Sequence, residues 1–129
     1  MNILTTIIAA LVALEHLYIM YLETIATASK STSRVFGINT DRLKDKNIST
    51  LLKNQGVYNG LIAILLLFSV FQQDDGEYQS SLLWTRLLFG YIILVAVYGG
   101  LTSKPSIILK QGGLAILGLI CSFIPAFNL

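Results

Sequence analysis

Four long apolar stretches, separated by short polar segments, dominate the hydrophobic pattern of the chain. They cover about residues 2–25, 54–71, 82–102 and 107–127. A helix needs about 20 mostly apolar residues to cross the roughly 30 Å hydrocarbon core of a bilayer, and only helices or closed barrels satisfy their backbone hydrogen bonds there. The pattern therefore predicts an all-α polytopic membrane protein, in which four antiparallel helices form one transmembrane domain over residues 1–129.

The composition is typical of a membrane protein, and the sequence lacks the motifs of several kinds of chemical site. Of the 129 residues, 54% are hydrophobic and only 12% are charged, which is too few charges for an ordinary soluble domain. The single cysteine, Cys121, cannot form an internal disulfide, and no Cys/His spacing suits a metal. The chain also lacks a P-loop, a dinucleotide fingerprint and a serine-nucleophile motif. We therefore expect no metal and no cofactor.

The charges between the apolar stretches predict the orientation in the membrane. Loop 26–53 carries six basic and two acidic residues, whereas the loop after the second stretch carries Asp74, Asp75 and Glu77 and no basic residue. Because basic loops stay on the cytoplasmic side, loop 26–53 is expected inside a bacterial cytoplasmic membrane and both termini outside. The net charge of +2 then reflects contact with the lipid bilayer, and no nucleic-acid partner is expected.

The basic loop and the second stretch contain local packing and capping patterns. Apolar residues between the charges favour a short amphipathic helix on anionic headgroups, although a plain solvated loop fits nearly as well. Asn39, Thr40 or Asp41 could cap that helix, and Ser49 or Thr50 could cap the second span. Gly56 and Gly60 form a surface on the second helix that lets a neighbour approach closely.

Ionisable residues interrupt the first apolar stretch. Glu15 and His16 are adjacent, and Tyr18 and Glu23 follow within the same arc of a helix at 100° per residue. Charged groups near the bilayer centre cost a few kcal/mol or more each. This cost favours a functional site over a structural ion pair at Glu15 and His16, whereas Glu23 is closer to the predicted inner boundary and could be a boundary charge.

Polar residues of the other helices are predicted at a related depth. Counting 1.5 Å per residue from the inner boundary places them and Glu23 roughly 3 to 9 Å deep, with Glu15 and His16 roughly 13 to 15 Å deep. The sequence thus predicts an inward-facing polar pocket. Its candidate ligand- or proton-binding residues are Glu15, His16, Tyr18, Glu23, Gln55, Tyr58, Asn59, Tyr98 and Gln111. The amides could instead be interhelical hydrogen-bonding groups, and the tyrosines packing aromatics.

Several motifs resemble a known family when they are read in order. They are Leu14-Glu15-His16-Leu17-Tyr18, Tyr21-Leu22-Glu23, Asn54-Gln55-Gly56-Val57-Tyr58-Asn59-Gly60, Tyr98-Gly99 and Gln111-Gly112. The chain resembles domain-of-unknown-function family 1304, small four-helix bacterial integral membrane proteins. The resemblance implies that these residues form a shared site, and it brings no activity. A weaker similarity, in length and in the position of Glu15, is to small multidrug resistance transporters and is treated as analogy.

Three classes of function fit this pattern. The leading hypothesis is a proton-linked transporter of a small organic or lipid-like ligand, because the Glu15 and His16 pair can exchange a proton near neutral pH. A four-helix unit is small for a transport path, so this hypothesis predicts a homodimer. The alternatives are an intramembrane enzyme that uses the pair as acid and base on a lipid-like substrate, and a structural or partner-binding membrane subunit.

Overall fold

The computed structural model describes residues 1–72 and 78–125, and the regular structure in these ranges is helical throughout. The predicted all-α class is confirmed for this part of the chain. The predicted acidic loop with Asp74, Asp75 and Glu77 lies outside the described residues, as does the end of the fourth stretch. The elements are α1 (Ile3–Met20), a π-helical turn (Tyr21–Ile25), α2 (Lys30–Phe36), α3 (Thr40–Leu43), α4 (Lys46–Gln72), α5 (Tyr78–Thr102) and α6 (Ser106–Cys121).

Within residues 1–72 and 78–125, three helical segments are long and apolar enough to cross a membrane, namely Ile3–Ile25, Lys46–Gln72 and Gln79–Thr102. Helix α6 is apolar but has 16 residues, which makes it about 24 Å long at 1.5 Å per residue. It ends at Cys121 rather than near residue 127, because Ile124 precedes Pro125 and a residue before proline disfavours helical geometry. Length and composition therefore identify three candidate spans, one fewer than the apolar pattern predicts.

The chain divides into two compact units. The first unit comprises Met1–Ala13 and Ile64–Leu129, and the second comprises Leu14–Ala63. Helices α1 and α4 contribute to both units. Seven of the nine candidate site residues belong to the second unit, and the other two, Tyr98 and Gln111, belong to the first.

Within the first unit, the ends of α1 and α6 are joined by one buried side chain. The Asn2 Nδ2 donates to Cys121 O and to Ile124 O, both at 2.8 Å, and its Oδ1 accepts from Thr5 N at 2.8 Å. Cys121 O also accepts from Ile124 N at 3.0 Å, so Asn2 adds a second donor to this carbonyl and supplies a donor to Ile124 O beyond the end of α6. Asn2 therefore fixes the start of α1 beside the end of α6.

A second polar contact joins α5 to the end of α6. The Arg86 guanidinium donates to Ser122 Oγ at 3.1 Å and to Ser122 O at 2.8 Å. It also lies 4.1 Å from the centroid of the Phe123 ring, which is a favourable position for a cation over an aromatic face. Gly118 approaches the buried Phe89 so closely that a Cβ there would lie 2.6 Å from the ring. Close packing and hydrogen bonds thus hold α5 against α6.

In the second unit, the basic segment between α1 and α4 forms two short helices. The Ser29 Oγ caps α2 by accepting from Thr32 N at 3.1 Å, and Gly37, with φ of 67°, ends it in the left-handed conformation that favours glycine. Asn39 caps α3 by accepting from Asp41 N at 2.9 Å. The predicted capping position at Asn39 is confirmed, and the segment contains one more helix than the single short helix predicted.

Helix α4 begins well before the apolar stretch that predicted it. The Asp45 Oδ1 accepts from Asn47 N at 2.9 Å and from Ile48 N at 3.2 Å, so Asp45 caps a helix that starts at Lys46. The predicted caps at Ser49 or Thr50 are therefore wrong. The polar first turns of α4 extend the helix without changing its apolar part.

Candidate functional site

Helix α1 passes into π-helical geometry just before Glu23. The Ala26 N–H donates to Tyr21 O at 2.9 Å, which is the five-residue spacing of a π turn. Leu22 and Glu23, in the middle of this turn, are buried. Single π turns within helices are rare and occur frequently at functional sites, so this geometry singles out Glu23 among the acidic residues that the structure describes.

The buried carboxyl group of Glu23 is bonded to a neutral amide. Glu23 is 1% exposed, and its Oε1 accepts a hydrogen bond from the Nδ2 of the half-buried Asn59 at 2.6 Å. Among the described residues the carboxyl group has no other hydrogen bond and no salt bridge. A buried carboxylate needs a compensating charge or must carry a proton. The Asn59 amide supplies no charge, so this pair can accept either a proton or a cation.

The glycines of α4 bring α4 against the end of α1. A Cβ on Gly56 would overlap Thr24 Oγ1 and lie 3.1 Å from Glu23 Cβ, and a Cβ on Gly60 would lie 2.9 Å from Met20 Cγ. Thr24 Oγ1 also donates to Lys53 O at 3.0 Å. The predicted close approach at the two glycines is confirmed, and it places the π turn directly on α4.

Threonine hydroxyl groups satisfy the carbonyls around the π turn. The Thr32 hydroxyl, in the first turn of α2, is the donor to two carbonyls, Ala26 O at 2.7 Å and Leu22 O at 3.0 Å. Thr27 Oγ1 donates to Glu23 O at 2.7 Å. Since a π turn changes which backbone groups pair within the helix, side-chain donors are needed for the carbonyls that remain. Helix α2 is thus attached to the segment that carries Glu23.

We expect Thr32→Val to lower the free energy of unfolding by about 1 to 2 kcal/mol. Valine keeps the shape of threonine but removes the hydroxyl donor from the buried Leu22 O and leaves Ala26 O with the Ser29 N–H alone. Unfolding by sodium dodecyl sulfate in mixed micelles, followed by circular dichroism, measures the change. Thr50→Val is the matched control, because Thr50 is exposed on α4 and its side chain makes no hydrogen bond with the described residues. Equal effects of the two substitutions would contradict the assigned role of Thr32.

The other three candidates of the first span lie on α1, before Glu23 in the chain. Glu15 is half-buried and makes no hydrogen bond or salt bridge with the described residues. His16 is buried, whereas Tyr18 is exposed. Glu23 is therefore the most buried ionisable side chain of α1 and its π turn, although sequence analysis ranked it below Glu15 and His16.

The remaining candidates are less closely associated with Glu23. On α4, Gln55 and Tyr58 are exposed, and in the first unit Tyr98 is 70% exposed and Gln111 is half-buried. The structure thus brings Glu23 and Asn59 into contact, and the binding roles of all nine residues stay predictions. No cluster of three or more His, Cys, Asp or Glu side chains that could hold a metal ion occurs in the described ranges.

The fold and the site define a class: helical proteins with apolar segments long enough to span a membrane and a buried acid–amide pair at the end of the first of them. Within that class, the chain belongs to the family described as "Protein of unknown function (DUF1304)", which matches residues 10–123. The family resemblance predicted from the sequence motifs is thereby confirmed.

One relative extends this result to almost the full chain. The protein is 56% identical over 123 residues to "Uncharacterized protein YpaA" of Lactococcus lactis subsp. lactis (strain IL1403), with 95% of this chain and 99% of the relative covered. No solved structure shows a significant match. The family description names no substrate, so the function has to be argued from the site itself.

Proposed function

We propose that the protein is an integral membrane protein that binds a small organic or lipid-like ligand at the Glu23–Asn59 pair and couples its movement across the membrane to a proton. The observation that carries this proposal is the nearly complete burial of Glu23 beside a neutral amide. A carboxyl group in these surroundings holds or releases a proton according to what lies next to it. The proposed site is confined to the second unit.

The link between ligand and proton follows from the single described hydrogen bond of the carboxyl group. A ligand that enters beside Glu23 must displace the Asn59 amide or bind the second carboxylate oxygen. Either event changes the stabilisation of the charged form relative to the protonated form. Because the ligand and the proton then affect each other's binding reciprocally, the pair has the property that a proton-linked transporter requires.

We also propose that α6 is a fourth span, so that both termini lie on one side of the membrane. The hydrogen bonds from Asn2 to Cys121 O and Ile124 O support this topology, because the start of α1 and the end of α6 then lie at the same face. Three crossings would place them on opposite faces. The contact from Arg86 of α5 to Ser122 agrees with a return of α6 alongside α5.

The orientation in the membrane is part of the same proposal. The basic side chains between α1 and α4 are all exposed, namely Lys30, Arg34, Arg42, Lys44, Lys46 and Lys53. This supports a cytoplasmic position for segment 26–53 beside anionic lipid headgroups, in a bacterial cytoplasmic membrane. Both termini are then outside, and a homodimer would supply the enclosure that one small helical unit lacks.

Glu23→Gln is the test of the proposed function. We expect wild-type protein in lipid nanodiscs to retain a small molecule in native mass spectrometry. In Glu23→Gln, the fraction of protein that carries this molecule should fall at least about tenfold. The glutamine can still accept the Asn59 hydrogen bond, so the free energy of unfolding should change by less than about 1 kcal/mol. Asp41→Asn, which removes an exposed carboxylate on α3, should retain the molecule.

Each alternative function gives a different result in this experiment. If Glu23→Gln lowers stability and the wild type retains no small molecule, the pair has a structural role and the proposal is wrong. If the recovered compound is chemically converted by wild-type protein and not by the variant, the protein is an intramembrane enzyme. The transport proposal requires that the recovered compound change the internal pH of vesicles containing the wild type, as reported by an enclosed pH-sensitive dye.

A further inference from the structure

We infer that the ligand group bound by Glu23 is an organic cation, such as an ammonium group on an apolar body. This inference rests on the proposed function and specifies its ligand. The chemistry of three features supports it: the absence of lysine and arginine from the first span, the partner of the Glu23 carboxyl group, and the tyrosines close to the pair along the chain.

The first span has an unbalanced set of charges. The segment Ile3–Ile25 contains Glu15 and Glu23 but no lysine or arginine. Glu15 is half-buried and Glu23 is buried, and neither makes a salt bridge with the described residues. The segment also contains the buried His16. A cationic ligand would supply the charge that a buried carboxylate requires.

Basic residues do occur near the site, but their side chains are exposed to the surroundings of the protein. Lys53 of α4 contributes its backbone carbonyl to Thr24, while its side chain is exposed, and Lys30 at the start of α2 is exposed as well. The group that contacts the carboxylate itself is the Asn59 amide. A neutral donor of this kind holds the oxygen in place without cancelling the charge of the carboxylate, and a cationic ligand would compensate that charge.

Three tyrosines that are close to the pair along the chain would add a second element of cation recognition. Tyr21 lies in the π turn with Glu23, Tyr58 precedes Asn59 on α4, and Tyr18 lies at the end of α1. All three are about half exposed or more. The faces of aromatic rings attract ammonium groups, and this attraction recurs in the recognition of quaternary ammonium ligands. Their exposure leaves these rings accessible to a ligand that arrives from the surrounding lipid.

Other ligand charges fit these features less well. An anion at this site would face the Glu23 carboxylate, and like charges at short range in a low dielectric repel strongly. A neutral hydroxyl group would compete with the Asn59 amide for the same oxygen and would gain little from the tyrosines. Exposed Val57 and Leu61 on α4 lie within one turn of Asn59 and provide apolar contacts for the body of the ligand.

The test uses two probes of equal shape and different charge. Benzyltrimethylammonium is a cation, and neopentylbenzene is its neutral analogue with carbon in place of nitrogen. We expect wild-type protein in nanodiscs to bind the cation at least about tenfold more tightly than the neutral probe, by saturation-transfer NMR with empty nanodiscs subtracted. Glu23→Gln should remove this preference, Glu23→Asp should retain it, and Asp41→Asn should bind as the wild type does.

The outcomes separate this inference from the proposed function. Equal binding of the two probes, no binding of the cation, or a preference that survives in Glu23→Gln would overturn the cationic ligand. A neutral or anionic compound recovered with the wild type would overturn it too, while leaving the proposed function intact. If Glu23→Gln does not fold, Glu23→Asp decides, because loss of the preference in that folded, still acidic variant also contradicts the inference.

Discussion

Replacing Asn2 by aspartate is expected to lower the free energy of unfolding by about 3 kcal/mol or more. Aspartate has the same shape as asparagine and can still accept from Thr5 N. It places an oxygen, however, where Asn2 Nδ2 donates to Cys121 O and Ile124 O at 2.8 Å. Two buried hydrogen bonds are lost at about 1 kcal/mol each, and a buried negative charge then faces two carbonyl oxygens. Unfolding by sodium dodecyl sulfate in mixed micelles measures the loss.

Two further variants show whether the position of Asn2 is responsible. Asn2→Ala should cost about 2 kcal/mol, because it removes the hydrogen bonds without adding a charge. Asn47→Asp should change stability by less than about 0.5 kcal/mol, since Asn47 is exposed in the first turn of α4, where a negative charge is favoured. A similar loss in the Asn2→Asp and Asn47→Asp variants would show that the contact between α1 and the end of α6 contributes little.

The helical class could be predicted from the sequence because apolar runs of this length have few other solutions in a membrane. The exact helix ends could not be predicted in the same way. Hydropathy records which residues are apolar, whereas a helix ends where its backbone hydrogen bonds end. Helix α4 therefore begins at Lys46, at the Asp45 cap, before its apolar part, and α6 ends at Cys121, shortly before Pro125.

The candidate site was predictable in part. The spacing of Gly56 and Gly60 indicated a close helix contact, and Asn59 lies on the same helix one turn beyond Gly56. Ranking acidic residues by depth favoured Glu15 over Glu23, because Glu23 is closer to the predicted inner boundary. The shared face of these residues was predicted from a regular rotation of 100° per residue. The π turn changes this rotation at Glu23. Thr32, which donates to a carbonyl of the π turn, lies in a separate short helix. The periodicity of residues along α1 therefore could not predict the π turn.

Gly56→Val is expected to lower the free energy of unfolding by about 3 kcal/mol and to abolish ligand retention at Glu23. A side chain on Gly56 overlaps Thr24 and lies 3.1 Å from Glu23 Cβ at its first atom, so the π turn must move away from α4. Overpacking of this kind typically costs about 1 to 3 kcal/mol. The movement also separates Glu23 Oε1 from Asn59 Nδ2, which are 2.6 Å apart.

Gly113→Val on α6 is the matched control, because a Cβ on Gly113 has no neighbour within 4 Å. Valine has a higher helix propensity than glycine, so this substitution should be neutral or stabilise by a few tenths of a kcal/mol. Both variants add the same β-branched side chain to a helix, and their difference therefore isolates the contact between α4 and the π turn. If Gly56→Val retained the wild-type stability and the ligand, the Glu23–Asn59 pair would not depend on this contact, and the proposed site would lose its structural basis.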